Sequence, residues 1–319
     1  MTKLLYLDQN AWVALARGAW DKATFPNEYL ALSKVIEGVE AQAWMVALSY
    51  TNIYETAKIN DPIRRANMAR TQAVISGGKV FRSRRRIFGE TLASYLATRF
   101  SLSYPAPSDR WYLSDLWFET AADYTPDLFD YTISEAALDF MRKHPVKTLF
   151  DYLALSDERI RIEAVRRYSA SSVELIARIE ARRAIVAGQT LAIRKRAYGG
   201  NLIIDEIDFI LATGRQLGLA WATVSDLGSS LVRSLTLDVP VLNVELQLAV
   251  RIEDQTRGIT ENDLRDLASF SNVLPLADIL IAEKPFVNLA RQAKLGERYG
   301  TTLLTSIYDL PSASINYNN

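Results

Sequence analysis

The chain opens on a run of apolar positions that stops abruptly at an acid, Lys3-Leu4-Leu5-Tyr6-Leu7-Asp8. An apolar run without polar alternation predicts a strand buried on both faces, as in parallel sheets. Trp44-Met45-Val46-Ala47-Leu48 repeats the pattern, Ile279-Leu280-Ile281-Ala282 repeats it just before Glu283, and Thr301–Thr305 reads as a last strand. Between the strands the period changes to that of a helix. Helices are predicted from about Ala11, over Asn27–Gly38 with Tyr29, Leu30, Leu32, Val35 and Ile36 on the apolar side, and from Thr51 or Asn52 through Lys58. Two more are predicted over Asn262–Asn272 and Phe286–Arg298. Strands and helices alternate at both ends of the chain, which predicts an α/β fold with a parallel sheet and crossover helices.

The middle has helical periodicity over Glu90–Thr98, Ile133–Arg142 and Ser156–Ala187. Tyr198-Gly199-Gly200-Asn201 reads as a linker, followed by a helix over Leu202–Gln216. The predicted organisation is an α/β domain made of residues 1–60 plus 203–319, with a large, mostly helical insertion over 61–202.

Composition narrows the chemistry. The chain has no cysteine and one histidine, which excludes disulfides, thiolate zinc sites, Fe–S clusters, cysteine nucleophiles and histidine-rich metal sites. His144 follows Arg142-Lys143 and precedes Pro145, the setting of an exposed helix end. Metal chemistry in this chain is therefore carboxylate chemistry, which favours Mg²⁺ or Mn²⁺. No stretch approaches the roughly 20 apolar residues of a membrane span, and the start lacks the pattern of a secretion signal, so no membrane and a cytoplasmic location are expected. Net charge is zero but unevenly spread: residues 61–202 hold 23 Lys/Arg against 16 Asp/Glu, and the flanks carry the opposite excess. A basic middle suits a polyanionic partner, and equally suits solvated helix faces.

Four acids share one topological logic. Asp8 ends the first strand, Glu55 lies in the first turn of the helix after the second, Asp266 lies near a helix start with Asp263 one turn before it, and Glu283 ends the strand Ile279–Ala282. In a parallel sheet, strand carboxyl ends and the following helix amino ends share one edge, so these side chains have a route to one point. Each has a structural alternative. Asn52-x-x-Glu55 and Thr260-x-x-Asp263 have the spacing of capping boxes, and acids suit first helical turns in general. Asp278 starts its strand, toward the opposite edge, and ranks below Glu283.

Tyr6-Leu-Asp8-Gln-Asn10-Ala-Trp12, Leu48-Ser-Tyr-Thr-Asn-Ile-Tyr-Glu55, Asn262-Asp263-Leu-Arg-Asp266 and Leu274-Pro-Leu-Ala-Asp278-Ile-Leu-Ile-Ala-Glu283 resemble the PIN-domain nucleases, more narrowly bacterial PIN-like proteins with a long helical insertion. The resemblance covers roughly residues 1–60 and 203–319. It implies a three-layer fold with sheet order 3-2-1-4-5 and Mg²⁺- or Mn²⁺-dependent endoribonuclease activity. The implied metal and catalytic acids are Asp8, Glu55, Asp266, with Asp263 as its rival, and Glu283. Asn10 is kept from the family pattern. Ala282-Glu283 departs from the family's Thr-x-Asp, having no hydroxyl and a longer acid.

Substrate affinity is assigned to the basic run Arg82-Ser83-Arg84-Arg85-Arg86, which suits phosphate backbones without reading sequence. The alternative is a solvated helix face. The partners implied are an RNA substrate, a protein inhibitor or antitoxin, and a second copy of the chain. The competing reading is a catalytically inactive PIN-like interaction module. Other Mg²⁺-dependent phosphoryl enzymes are disfavoured, because the chain has no GxxxxGK[ST] loop.

Overall fold

The computed structural model describes residues 2–124 and 132–311. In chain order its elements are β1 (Lys3–Leu7), α1 (Gln9–Trp20), α2 (Pro26–Glu40), β2 (Trp44–Val46), α3 (Tyr50–Ala57), α4 (Pro62–Ser76), β3 (Val80–Phe81), α5 (Arg84–Phe100), β4 (Leu113–Ser114), α6 (Glu135–Lys143), α7 (Pro145–Leu155), α8 (Glu158–Ile185), α9 (Leu191–Asp205), α10 (Ile207–Gln216), α11 (Gly228–Asp238), α12 (Pro240–Ile252), α13 (Glu261–Val273), β5 (Ile279–Ile281), α14 (Lys284–Gln292), α15 (Leu295–Tyr299) and β6 (Thr302–Leu304), with short 3-10 turns between some of them.

The fold is α/β with an all-parallel four-stranded sheet in the order β2-β1-β5-β6. The five-strand order 3-2-1-4-5 is not what the ladder contains. β3 has two residues and pairs antiparallel with β4 in a separate two-stranded sheet, and so short a segment makes only one parallel bridge, Val80 to Leu48, just past the end of β2. That bridge consists of Leu48 N–H to Lys79 O at 3.0 Å and Phe81 N–H to Leu48 O at 2.8 Å.

The chain forms two compact units: Met1–Ser83, Tyr112–Tyr168 and Leu276–Asn319 make the first, Arg84–Trp111 and Ser169–Pro275 the second. These boundaries cut the chain differently from 1–60 plus 203–319 and 61–202. One reason is local: α4 and α7, from the expected insertion, pack on each other and α4 packs on α1. Met68, Ala69, Ala73, Leu149 and Leu153 join the core under the sheet. The expected linker at 198–201 is likewise interior to α9, where Tyr198 and Gly199 are buried. Gly199 lies beside the Thr236 side chain, within a helix rather than at a turn.

In the first unit the period of a strand decides which residues face the helices. Leu5 and Leu7, Val46 and Leu48, and Ile279 and Ile281 enter one core with Trp12 and Leu15 of α1 and Leu32 and Val35 of α2. In the second unit α12 packs against α5, α9, α11 and α13, and most of its residues are buried. Arg84 there bridges Glu206 at 2.6 Å and Glu245 at 2.8 Å.

Candidate functional site

β1 runs into α1 through one residue, Asp8. Its backbone is extended, and its Oδ1 accepts the Ala11 N–H at 3.0 Å, so Asp8 is the N-cap of α1. Its own N–H donates to Ile281 O at 2.9 Å, fixing it beside the end of β5. Glu283 follows there as the first residue before α14 and makes no side-chain cap bond. Asn10 Nδ2 donates to Glu283 Oε1, so Asp8, Asn10 and Glu283 are gathered at the carboxyl edge of β1 and β5.

Burial pushes the Asp8 carboxyl up to about 6, and the neighbouring Glu283 carboxylate adds to the rise. Backbone N–H groups of Ala11, Glu283 and Asn10 pull the other way without cancelling it. Among the described residues neither Asp8 nor Glu283 has a Lys, Arg or His ion-pair partner. Two acids thus sit together with no cationic partner among the described residues.

Glu55 is placed differently from expectation. The N-cap of α3 is Ser49, and its capping-box partner is Asn52, whose Oδ1 accepts the Ser49 N–H at 2.9 Å. Glu55 therefore lies in the second turn and takes no part in the box. Asn52 Nδ2 also donates to Leu7 O at 3.2 Å, tying the start of α3 to the end of β1. Gln9, Thr56 and Gln72 close a ring of hydrogen bonds (2.9–3.4 Å) that sets α1, α3 and α4 against one another. Glu55 lines a cleft of about 470 Å³ whose wall also includes Asn10, Val13, Arg17, Trp20 and Arg64.

Asp263 and Asp266 lie on α13 in the second unit, apart in the chain from the first-unit segments that carry Asp8, Glu55 and Glu283. Asp263 is committed to structure. It is buried, completes the Thr260 capping box and takes a bidentate pair from Arg257 at 2.6 and 2.7 Å. Burial pushes its carboxyl up, but Arg257 and Thr260 outweigh that and leave it lowered. Both of its carboxylate oxygens are thus engaged, by Arg257 and by Thr260. Asp266 is half-buried. Asp278 accepts the Leu4 N–H at 2.6 Å, at the amino end of β5 and away from Asp8, as its place in the strand predicts.

The basic run is largely spent on internal pairs. Arg82 meets Glu119 at 2.6 Å and Asp123 at 3.3 Å. Burial lowers the Arg84 guanidinium, and Glu245 and Glu206 more than reverse this. Arg85 stacks on Phe209 at 3.5 Å and approaches Glu206, and Arg86 meets Glu90 at 3.6 Å. Arg82 and Arg84 thus already have carboxylate partners, while Arg85 and Arg86 keep partly exposed side chains. His144 is exposed between α6 and α7 against Phe140, as expected.

Among the described residues no three His, Asp or Glu side chains come together so as to hold a metal ion. Of the expected set, Asp8 and Glu283 are gathered at one sheet edge, Glu55 lines the cleft that Asn10 shares, and Asp266 lies on α13 of the second unit. Asp8 with Glu283 does fit a hard divalent ion, which is commonly held by one or two carboxylates and completed by water and substrate phosphates. A half-buried carboxyl beside a second acid, with no counter-cation, is the donor chemistry such an ion stabilises. Sequence reasoning missed the cleft wall. Its signal is the spacing Gln9/Asn10, Val13, Ala16/Arg17, Trp20, one face of α1 that mixes amides, a cation and an indole. Comparison of the chain with protein-family models, curated proteins and solved structures finds no match.

Proposed function

We propose that the first unit carries a PIN-like, metal-dependent ribonuclease site that hydrolyses RNA phosphodiester bonds, with Asp8 and Glu283 holding Mg²⁺ or Mn²⁺. The observation that supports it is the juxtaposition of these two acids at the carboxyl edge of a parallel sheet, with no basic ion-pair partner among the described residues. When bound, such an ion polarises the phosphoryl oxygen and makes a bound water acidic enough to attack near neutral pH. The chain's own contribution is positional. Ala11 N–H holds one oxygen of Asp8, and Asn10 holds one oxygen of Glu283. We assign Glu55, on the wall that Asn10 shares, to orienting substrate or water. The Val80–Leu48 bridge favours the finer family order: with β3 counted beside β2 and β4 set aside, the parallel strands read 3-2-1-4-5 in chain order.

The second reading, an inactive interaction module, is favoured by the lack of a third gathered acid among the described residues. Incubation of the full chain with single-stranded RNA in Mn²⁺ and in EDTA separates the two. Cleavage that needs Mn²⁺ and disappears in folded Asp8→Asn and Glu283→Gln is expected. Intact RNA in every lane leaves the scaffold reading.

A further inference from the structure

The cleft beside Asn10 has a character of its own. Along α1 it runs from Asn10 to Trp20, roughly 15 Å by helical rise. Its volume, about 470 Å³, lies in the range of small-molecule sites. Trp20 is 45% exposed although it is the largest apolar side chain in the lining. Its indole N–H donates to Asn67 O at 3.3 Å and Arg70 lies over its ring at 5.5 Å, so the ring is held in place rather than free. Phe25 and the buried Met68 add further apolar wall.

Two cations share this wall. Arg17 lies over Phe25 at 5.5 Å, and Arg64 extends from the first turn of α4. Among the described residues neither guanidinium is paired with a carboxylate, in contrast to Arg65, Arg82 and Arg84. Two acids also line the cleft. Asp21 is turned to the Thr24 amide at 3.0 Å, and Glu55 stands at the Asn10 end of the chemistry already described.

We infer that this cleft binds one nucleotide of the RNA strand, with its base against Trp20 and its phosphate drawn to Arg17 and Arg64. A fixed aromatic face and unspent guanidiniums are the pairing that single-stranded nucleic acid uses. The side-chain amide of Asn67 supplies a donor and an acceptor for a base edge. The choice of a nucleotide rests on the nuclease reading, since the acid pair adjoining Asn10 is where the chain would be cut.

The test titrates the full chain, in EDTA, with adenosine 5′-monophosphate, uridine 5′-monophosphate, adenosine and inorganic phosphate, reading affinity by isothermal titration calorimetry in every variant and the Trp20 indole N–H signal by NMR in the proteins that keep Trp20. At least one monophosphate should shift that signal and bind at least tenfold tighter than adenosine or phosphate alone. Trp20→Ala and Arg64→Ala, both exposed positions, should each weaken that binding about tenfold with unchanged thermal midpoints, and Trp20→Phe should restore most of it. Indifference to both monophosphates, equal binding of phosphate alone, or full binding by Trp20→Ala overturns the inference. A parallel cleavage assay keeps the two claims apart. Cleavage without monophosphate binding leaves the nuclease and removes this site, whereas binding without cleavage leaves this site and removes the nuclease.

Discussion

Asp8 does two jobs that pull against each other. As an N-cap it satisfies Ala11 N–H, and as a half-buried acid beside Glu283 it is costly to ionise. Its carboxyl is raised to about 6 in the fold from an ordinary value of 3.8. Between those values the native state holds more protons than the unfolded chain, so this group's contribution to stability falls as pH rises from about 4 to 6 and stays lost above that. Two pKa units correspond to at most about 3 kcal/mol. Asparagine caps a helix as well as aspartate, so Asp8→Asn should stabilise the metal-free protein by about 1–2 kcal/mol at pH 8 and by nothing at pH 4. Urea midpoints at the two pH values check this, and an equal or lower midpoint at pH 8 contradicts it. Stability gained by deleting a functional acid is a common mark of active sites. The strand-end position of Asp8 was legible from four apolar residues running into an acid. Its capping bond was not, because a strand end and an N-cap are the same residue only when no loop intervenes.

At the scale of elements, buried strands were the most legible feature, since an apolar run too short for a helix is most readily buried as a strand. β3 and β4 escaped notice because two residues carry no period. The α3 start was misplaced for a related reason: Ser49 and Asn52 satisfy the capping-box geometry as well as Asn52 and Glu55 would, and only the tertiary bond from Asn52 to Leu7 O favours the former. Close helix contact is equally silent in sequence. A Cβ on Gly18 of α1 would lie 2.5 Å from the backbone of Glu28 and Tyr29 in α2. Gly18→Ala should therefore destabilise by about 1–2 kcal/mol, overpacking against backbone outweighing the gain in helix propensity. Because Arg17 and Trp20 flank it on α1, the same change should weaken monophosphate binding. Thermal melts and the NMR titration read the two effects. In the second unit, Arg84 joins α5 to Glu206 and to Glu245 of α12. Arg84→Ala should cost about 1–3 kcal/mol by leaving Glu245 unmatched and Glu206 with only the longer contact to Arg85. It should leave the salt slope of RNA binding unchanged, because its charge is not available to phosphate. A flatter slope would return Arg84 to the binding surface.

Over the whole molecule, the first unit is assembled from three separated chain segments, and its candidate site needs two of them. Asp8 comes from the first and Glu283 from the last. The parallel pairing of β1 with β5 makes them neighbours, a consequence of topology that the acid-ending strand pattern anticipates for this pair and not for Asp263, which local arginine chemistry claims first. Two acids brought together by folding, and separate in the unfolded chain, make cation binding a property of the native state alone. Binding to the native state only stabilises by RT ln(1 + [L]/Kd), about 2.7 kcal/mol at a hundred times Kd. Mn²⁺ should therefore raise the thermal midpoint of the first unit by several degrees. Glu283→Gln should bind it more weakly, and Asp8→Asn with Glu283→Gln should not respond, while Asp263→Asn loses stability with its Mn²⁺ increment intact. With two compact units in one chain the melt need not be a single transition, so scanning calorimetry is the suitable measurement. A wild-type scan that does not move with Mn²⁺ would leave Asp8 and Glu283 as two acids that share a sheet edge and nothing else.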